Sequence, residues 1–378
     1  MKTIGIITNA GPDSGVGSRA HQLFRHMGKH ENSQLSLVML DGKNNLLGEV
    51  GWGAEMNSNK PKQIMRLPGF LNSKSISWVR LAKHISEFDV YDISNQTLSF
   101  IAKKRRPSIV TVHDIIELTN PQDKKAYLFN KYLLSGIVHA DNIVAVSEFT
   151  KKSIQEYFSI TESRITVIPN GVDDGFHQIP DFASSVAYQQ LKQEYIITDR
   201  SPIILCVGSE HPRKNMQTVL QTVALIKKQF PNVLLMKVGE PGILSGRQKT
   251  LELIDTLDLK SNVLLLGNIS RDRLNELYNI VDALLYPSYL EGFGLPPLQA
   301  LAAGCIVACS NATSLPEVVG DAAITLGPDD AEGFAQNITR SMQDVDFKSN
   351  LVRRGLEQAK KFSWKSSAEK MFEVYRSI

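Results

Sequence analysis

Short β-branched apolar runs alternate with longer helical patterns along the whole chain, and this alternation restricts the fold more than any other feature. The first half offers Thr3–Asn9, Leu35–Leu40, Ile64–Leu67, Val90–Ser94, Ile109–His113, Ile143–Ser147 and Thr166–Pro169. The second half offers Ile203–Gly208, Val233–Gly239, Val263–Gly267, Ala283–Tyr286, Ile306–Ser310 and Ala323–Leu326. Strands separated by helix-length segments pair in parallel through crossovers, so the pattern predicts α/β sheets covered by helices. Each set suffices for a doubly wound domain, and 378 residues fit two domains of about 150–200 residues. We expect them over residues 1–180 and 200–362. Between Gly171 and Ser201 the chain is punctuated by Asp173, Asp174, Gly175 and Pro180, with a polar helix around Tyr188–Tyr195. In the last segment, 364–378, Ala368, Met371, Phe372 and Tyr375 recur at helical spacing.

Composition removes several classes. A formal net charge of +3 gives no general attraction for polyanions, so no nucleic-acid partner is expected. Cys206, Cys305 and Cys309 are too few for a disulfide framework, sit in apolar surroundings and lack metal-ligand spacing. Met1-Lys2 runs directly into a strand pattern without a cleavage site, and no apolar run reaches the roughly 18 residues of a membrane span. The expected setting is cytoplasmic, or peripheral to the inner face of a membrane. Lys103-Lys104-Arg105-Arg106 fits a solvated loop or a contact with anionic lipid. Asp344-Val345-Asp346 looks like a metal motif but follows no strand end, so we read it as solvated surface.

Chemistry concentrates at strand ends. Pro287 to Ala300 reads as strand end, glycine loop and helix start, with Gly292 and Gly294 allowing close backbone approach and Pro296 or Pro297 suiting the first helical turn. The free amides of such a turn attract anions, whereas Glu291 in the same loop repels phosphate and suits sugar hydroxyls. The pair suggests a phosphate-bearing sugar. Arg213 and Lys214, in the loop after Ile203–Gly208, oppose the dipole of the helix they open unless an anion is present. They are suited to a diphosphate, Arg by forked hydrogen bonds and Lys as a point charge. His113-Asp114 ends another strand, where an imidazole can exchange a hydrogen bond with a hydroxyl. Gly15-x-Gly17-x-x-Ala20 formally matches a dinucleotide fingerprint, with Asp41 as the ribose acid, although Ala10 to Ser14 separate its first glycine from the strand. Ser147 or Thr150 suits a helix cap, and Asn170-Gly171 is a turn signal. Ser314 is placed to cap a short helix with Glu317 at its third position, which leaves Glu317 between a local and a ligand-binding role.

The frame Glu291-Gly292-Phe293-Gly294-Leu295-Pro296 resembles the signature of the GT4 family of retaining glycosyltransferases. The long first loop, the Val-His-Asp strand end at His113, Ser147-x-x-Thr150, Pro169-Asn170-Gly171-Val172-Asp173, Arg213-Lys214-Asn215 and Leu315-Pro316-Glu317-Val318 follow in the family's order. The resemblance implies the GT-B fold, two doubly wound Rossmann-like domains facing across a cleft, with the C-terminal helix 364–378 packed back on the first. It implies transfer of a hexose from a GDP- or UDP-hexose, without metal or other cofactor, to a glycan or lipid-linked oligosaccharide hydroxyl, as in bacterial surface polysaccharide synthesis. The Pro-Arg-Lys-Asn form resembles mannosyltransferases. By the same resemblance His113 contacts the donor sugar, Glu291 with Phe293, Gly294 and Leu295 holds it, and Arg213 and Lys214 clamp the diphosphate. Gly15 and Gly17 then line the donor phosphate and acceptor, position 299 holds the ribose, and Glu317 belongs to the donor side.

The sequence departs from the family's second acid at Gln299. An amide loses the charge-assisted pair a carboxylate gives two hydroxyls, about 1–2 kcal/mol of donor binding. Two other readings remain: an NAD-dependent oxidoreductase using Gly15, Gly17 and Asp41, and a non-catalytic sugar-nucleotide binding protein.

Overall fold

The structure, a computed structural model, describes residues 2–12, 14–27, 33–51, 62–66, 74–121, 123–242 and 244–378. Asp13 of the first loop and Leu67 of the third expected strand lie outside them. The chain divides into two compact units, one of Met1–Gly171 with Phe362–Ile378 and one of Val172–Lys361.

The first unit holds β1 (Lys2–Thr8), β2 (Ser33–Asp41), β3 (Leu46–Gly51), β4 (Lys62–Arg66), β5 (Val90–Ile93), β6 (Ser108–Val112), β7 (Asn142–Ala145) and β8 (Ile165–Val167). They form one sheet in the order β4-β3-β2-β1-β5-β6-β7-β8. From β2 through β1 to β8 the pairing is parallel, but β2–β3 and β3–β4 are antiparallel. The expectation of purely parallel pairing therefore fails at one edge, and β3 was not anticipated. A turn explains it: the Asp41 carboxylate accepts from Lys43 N at 3.0 Å, Asn44 N at 3.1 Å and Asn44 Nδ2 at 2.6 Å. Asn45 then takes a left-handed φ of 54°, so the chain reverses without a crossover.

Both faces of this sheet are covered. Ile7, Tyr91, Ile93, Val110 and Val112 pack on one side, while Ile4, Ile6, Val90 and Ile109 pack with Leu23, Met371 and Phe372 on the other. The C-terminal helix Trp364–Ser377 belongs to that second layer. Tyr375 donates its hydroxyl to Asp92 Oδ2 on β5, and Ser367 Oγ donates to Pro169 O at 2.8 Å.

The second unit holds β9 (Ile203–Val207), β10 (Leu234–Val238), β11 (Val263–Leu266), β12 (Ala283–Tyr286), β13 (Ile306–Ser310) and β14 (Ile324–Leu326). The order is β11-β10-β9-β12-β13-β14 and every pairing is parallel. The residues 172–200 that sequence composition marks as a boundary belong to this unit: His177 N donates to Asn275 Oδ1 at 3.1 Å and Ile179 N to Asn279 Oδ1 at 2.8 Å. The chain leaves β9 toward β10 on one side and leaves β12 toward β13 on the other. The loops after β9 and β12 thus meet at a topological switch point, where strand carboxyl ends open a crevice.

Candidate active site

Those two loops carry Arg213, Lys214 and Glu291. After β9, Pro212–Lys214 make a single 3-10 turn, and Asn215 adopts φ 56° to cap the helix Met216–Lys227 by accepting from Thr218 N at 3.2 Å. After β12 the chain runs to the helix Leu295–Ala302, with proline in its first turn. Arg213 O accepts from Tyr289 N at 2.8 Å and from Ser288 Oγ at 3.0 Å, which ties the loops together.

Glu291 is buried, and its Oε1 is the hub. It accepts from Lys214 Nζ at 2.6 Å, Ser288 Oγ at 2.6 Å, Tyr286 OH at 3.1 Å and Arg213 NH1 at 3.2 Å. Arg213 NH1 also donates to Leu290 O at 3.0 Å, and Lys214 Nζ lies 4.8 Å from the Tyr286 ring centre. Burial pushes the Glu291 carboxyl up, but the charges of Lys214 and Arg213 and the bonds from Lys214 and Ser288 outweigh it and leave the group below its ordinary range. Burial lowers the Lys214 ammonium and raises the Tyr286 phenol, so Tyr286 stays a neutral donor. Two cations gathered on one carboxylate oxygen in a partly buried place make an arrangement suited to an added anion.

The glycine loop is held from below. Glu291 N donates to Thr313 Oγ1 at 3.1 Å, and Ser314 Oγ lies 2.9 Å from Glu291 O and 3.0 Å from Phe293 O. Ser314 makes no side-chain cap on Leu315–Val319, contrary to the capping expectation, because its hydroxyl is turned to this loop instead. Gly294 has φ 112°, and a Cβ there would lie 2.6 Å from Leu315 Cδ2. The positive φ requires glycine, and a larger residue would also displace the end of Leu315. Phe293 is buried against this support and Leu295 begins the helix. Gln299, one turn further, has its Oε1 3.4 Å from the hydroxyl of buried Tyr278. Glu317 is exposed on the short helix Leu315–Val319.

His113, Gly15 and Gly17 belong to the first unit. His113 follows β6 and is buried; its N–H donates to Gln96 Oε1 at 3.1 Å, and Nε2 lies 3.1 Å from Ser94 O. A carbonyl partner makes Nε2 the protonated nitrogen and leaves Nδ1 as an acceptor. Burial, reinforced by the positive charge of Arg19, holds the imidazole pKa down at about 4, with only the Ser94 bond opposing. The ring is neutral near neutral pH: it accepts a hydrogen bond and gives up no proton. Gly15 opens the helix Gly15–Met27, and Gly17 lies against the preceding loop, since a Cβ there would meet Gly11 O at 2.0 Å. Asp41, the acid a dinucleotide site needs, is bonded into the β2–β3 turn.

Tyr286, Ser288, Thr313 and Arg19 were not singled out by sequence. Ser288, three residues before Glu291, and Tyr286, at the end of β12, carried a positional signal; Arg19 and Thr313 carried none. Arg19 is fully buried and its NH1 donates to Ile168 O at 3.0 Å, Asn170 Oδ1 at 2.9 Å and Pro169 O at 3.3 Å. It therefore binds the first helix to the Pro169-Asn170-Gly171 turn.

Residues 188–358 match the family described as Glycosyl transferases group 1, and residues 14–176 match Glycosyltransferase Family 4. The O-antigen chain mannosyltransferase B of Escherichia coli is 30% identical over 288 residues, covering 74% of this chain and 72% of that protein. The serotype-specific mannosyltransferase WbdA of Escherichia coli is 31% identical over 72% of this chain, which spans 33% of that longer protein. Among solved structures, HepE of Anabaena in complex with UDP and glucose superposes with a TM-score of 0.78 at 16% identity, over 100% of both chains. Two doubly wound units with the loops just described define a GT-B glycosyltransferase. The chain belongs to the GT4 family of retaining glycosyltransferases. No helix among the described residues is long and apolar enough to cross a membrane.

Proposed function

We propose that the chain transfers mannose, with retention, from GDP-mannose to a hydroxyl of a glycan or lipid-linked oligosaccharide in surface polysaccharide synthesis. The observation that carries this reading is the Arg213–Lys214–Glu291 cluster at the switch point of the second unit. The relatives' names, two mannosyltransferases, favour the sugar.

In this reading Arg213 and Lys214 take the diphosphate and stabilise the charge it gains as it leaves. Phe293, Gly294 and Leu295 hold the donor sugar together with Glu291, which accepts from sugar hydroxyls through the lone pairs its four donors leave open. His113 accepts from a substrate hydroxyl through Nδ1. Glu291 carries two cations on one oxygen and is a weak nucleophile for that reason, which favours departure and attack on one face with the leaving phosphate as base. Gln299 keeps one acceptor and one donor for the ribose, and Glu317 supplies an acceptor on the donor side. Calorimetry with GDP and UDP tests the donor: GDP binding lost in Arg213→Ala supports the assignment, and UDP binding alone moves the donor to a UDP-hexose. Product anomeric configuration by NMR tests retention.

A further inference from the structure

The turn that carries the two cations opens on a third titratable side chain. His211 lies in the loop after β9, immediately before the 3-10 turn Pro212–Lys214, and is half-buried. Its Nδ1 accepts from Arg213 N at 3.4 Å and so caps the turn. An accepting Nδ1 carries no proton, which makes the ring the neutral tautomer protonated at Nε2. Among the described residues no protein group bonds that Nε2. The carboxylates nearest in the fold are already engaged by cations. Glu210, one residue earlier, is bound by Lys237 on β10 and by Arg247 on the helix Leu244–Thr256, while Glu291, after β12, is bound by Lys214 and Arg213. Burial, and after it the charges of Arg213 and Lys214, hold the imidazole below its ordinary pKa. A diphosphate on those two residues removes the second cause, because an anion beside a histidine favours the charged ring as strongly as a cation disfavours it.

We infer that His211 takes up a proton from solvent when the donor's diphosphate seats on Arg213 and Lys214, and returns it when the nucleoside diphosphate departs. The inference rests on the reading of Arg213 and Lys214 as the diphosphate clamp. The proton adds to Nδ1, the open nitrogen, which turns from acceptor to donor and releases the amide of Arg213. His211 acts through this turn and through its charge, so it is a positioning residue. That charge is in place while the diphosphate gains negative charge on leaving the sugar. The bound state holds more protons than the free state, so affinity rises as pH falls, by up to about tenfold per pH unit between the two pKa values of the ring.

The test is an NMR titration of the His211 imidazole, assigned through its contact with the Arg213 amide, in the full chain free and saturated with GDP, with UDP as a second probe. The ring titrates below its ordinary value in the free chain and about one unit or more higher with nucleotide bound. Calorimetry compares wild type with His211→Asn, whose amide keeps an acceptor for the Arg213 N–H and does not titrate. The terminal phosphate of GDP, with a pKa of about 6, titrates alike against both proteins. Between about pH 8 and pH 6 the wild type gains on the variant by roughly three- to tenfold. A ring unshifted by nucleotide, or parallel pH profiles for the two proteins, overturns the inference and leaves the clamp standing. Failure of both nucleotides to bind, or binding that survives Arg213→Ala, refutes the clamp itself, and the inference falls with it. Should the variant melt too low to measure, the wild-type titration decides alone.

Discussion

Glu291→Gln separates charge from shape at the centre of the site. The amide is nearly isosteric and its oxygen can still accept from Ser288 and Tyr286, so those two bonds survive as neutral ones. The bonds from Lys214 at 2.6 Å and Arg213 at 3.2 Å lose their ionic half. A charge-assisted hydrogen bond contributes about 1.5–3 kcal/mol and a neutral one about half that. Removing the charge therefore costs about 2–3 kcal/mol, mostly from Lys214, whose side chain is 12% exposed against 26% for Arg213. The folded Glu291 carboxyl lies below its ordinary value, so its contribution is present above the ordinary carboxylate range and is lost as pH falls through the depressed one. The assay is urea unfolding of the second unit in wild type and variant, near neutrality and in acid. We predict a gap near neutrality that closes in acid, where the wild-type carboxyl is protonated too. A gap of equal size at both pH values would refute the reasoning, since it would show a loss of packing. GDP binding adds a second readout: with one anion fewer beside the two cations, the variant binds GDP at least as tightly while sugar transfer falls.

Further expectations follow from other positions. Because burial holds the His113 pKa at about 4 against 6.5 unperturbed, its neutral form stabilises the first unit above the higher value, and that contribution disappears as pH falls toward the lower one. His113→Asn should flatten that acid limb in pH-dependent melts and reduce turnover without a new ionisation in the neutral range. Gly294→Ala should cost about 1–3 kcal/mol from the φ of 112° and the clash with Leu315, and lower transfer further, as thermal melts and initial rates would show. Gln299→Glu should tighten nucleotide-sugar binding by about 1–2 kcal/mol through a charge-assisted pair to two ribose hydroxyls, read by calorimetry. Tyr375→Phe leaves buried Asp92, whose pKa burial raises to about 6, without the hydrogen bond its carboxyl accepts from that hydroxyl. Carboxyl protonation relieves that loss, so the variant should lose stability above neutrality more than below it.

What could be read in the chain follows physical range. Parallel strands and their helices are local patterns, and β9 to β14 stand close to the expected runs because each is a short apolar stretch flanked by turn residues. β3 escaped because Leu46-Leu47-Gly48-Glu49-Val50-Gly51 holds two glycines and one acid and owes its strand to pairing with β2. In the site, Arg213, Lys214 and Glu291 were visible as residues that cost energy where they stand. Their bonding to one oxygen was not, since it joins loops more than seventy positions apart and depends on β9 pairing with β12. Ser314 shows the opposite error: a local capping pattern was present, and a tertiary contact outcompeted it.

The loop that carries the two cations is fixed by a second buried ionic cluster, one position before His211. Glu210 accepts from Arg247 Nε at 2.9 and 2.8 Å and pairs with Lys237 Nζ at 3.0 Å, with the Glu210 and Lys237 side chains both 0% exposed. Lys237 Nζ also donates to Gly239 O at 2.6 Å, and a Cβ on Gly246 would lie 2.2 Å from Glu210 O, so helix, strand end and loop are drawn close together. Burying these charges adds little net stability, since desolvation offsets most of the attraction. Apolar residues of the same volume would hold the unit together as well, but they would not aim a loop. A carboxylate bound by a guanidinium and an ammonium together admits few geometries, and His211, Arg213 and Lys214 leave it along a fixed path. The polar cluster beneath the cations serves position more than stability, and position is what a diphosphate clamp requires, since charge stabilises a departing group only where it already stands at the right place.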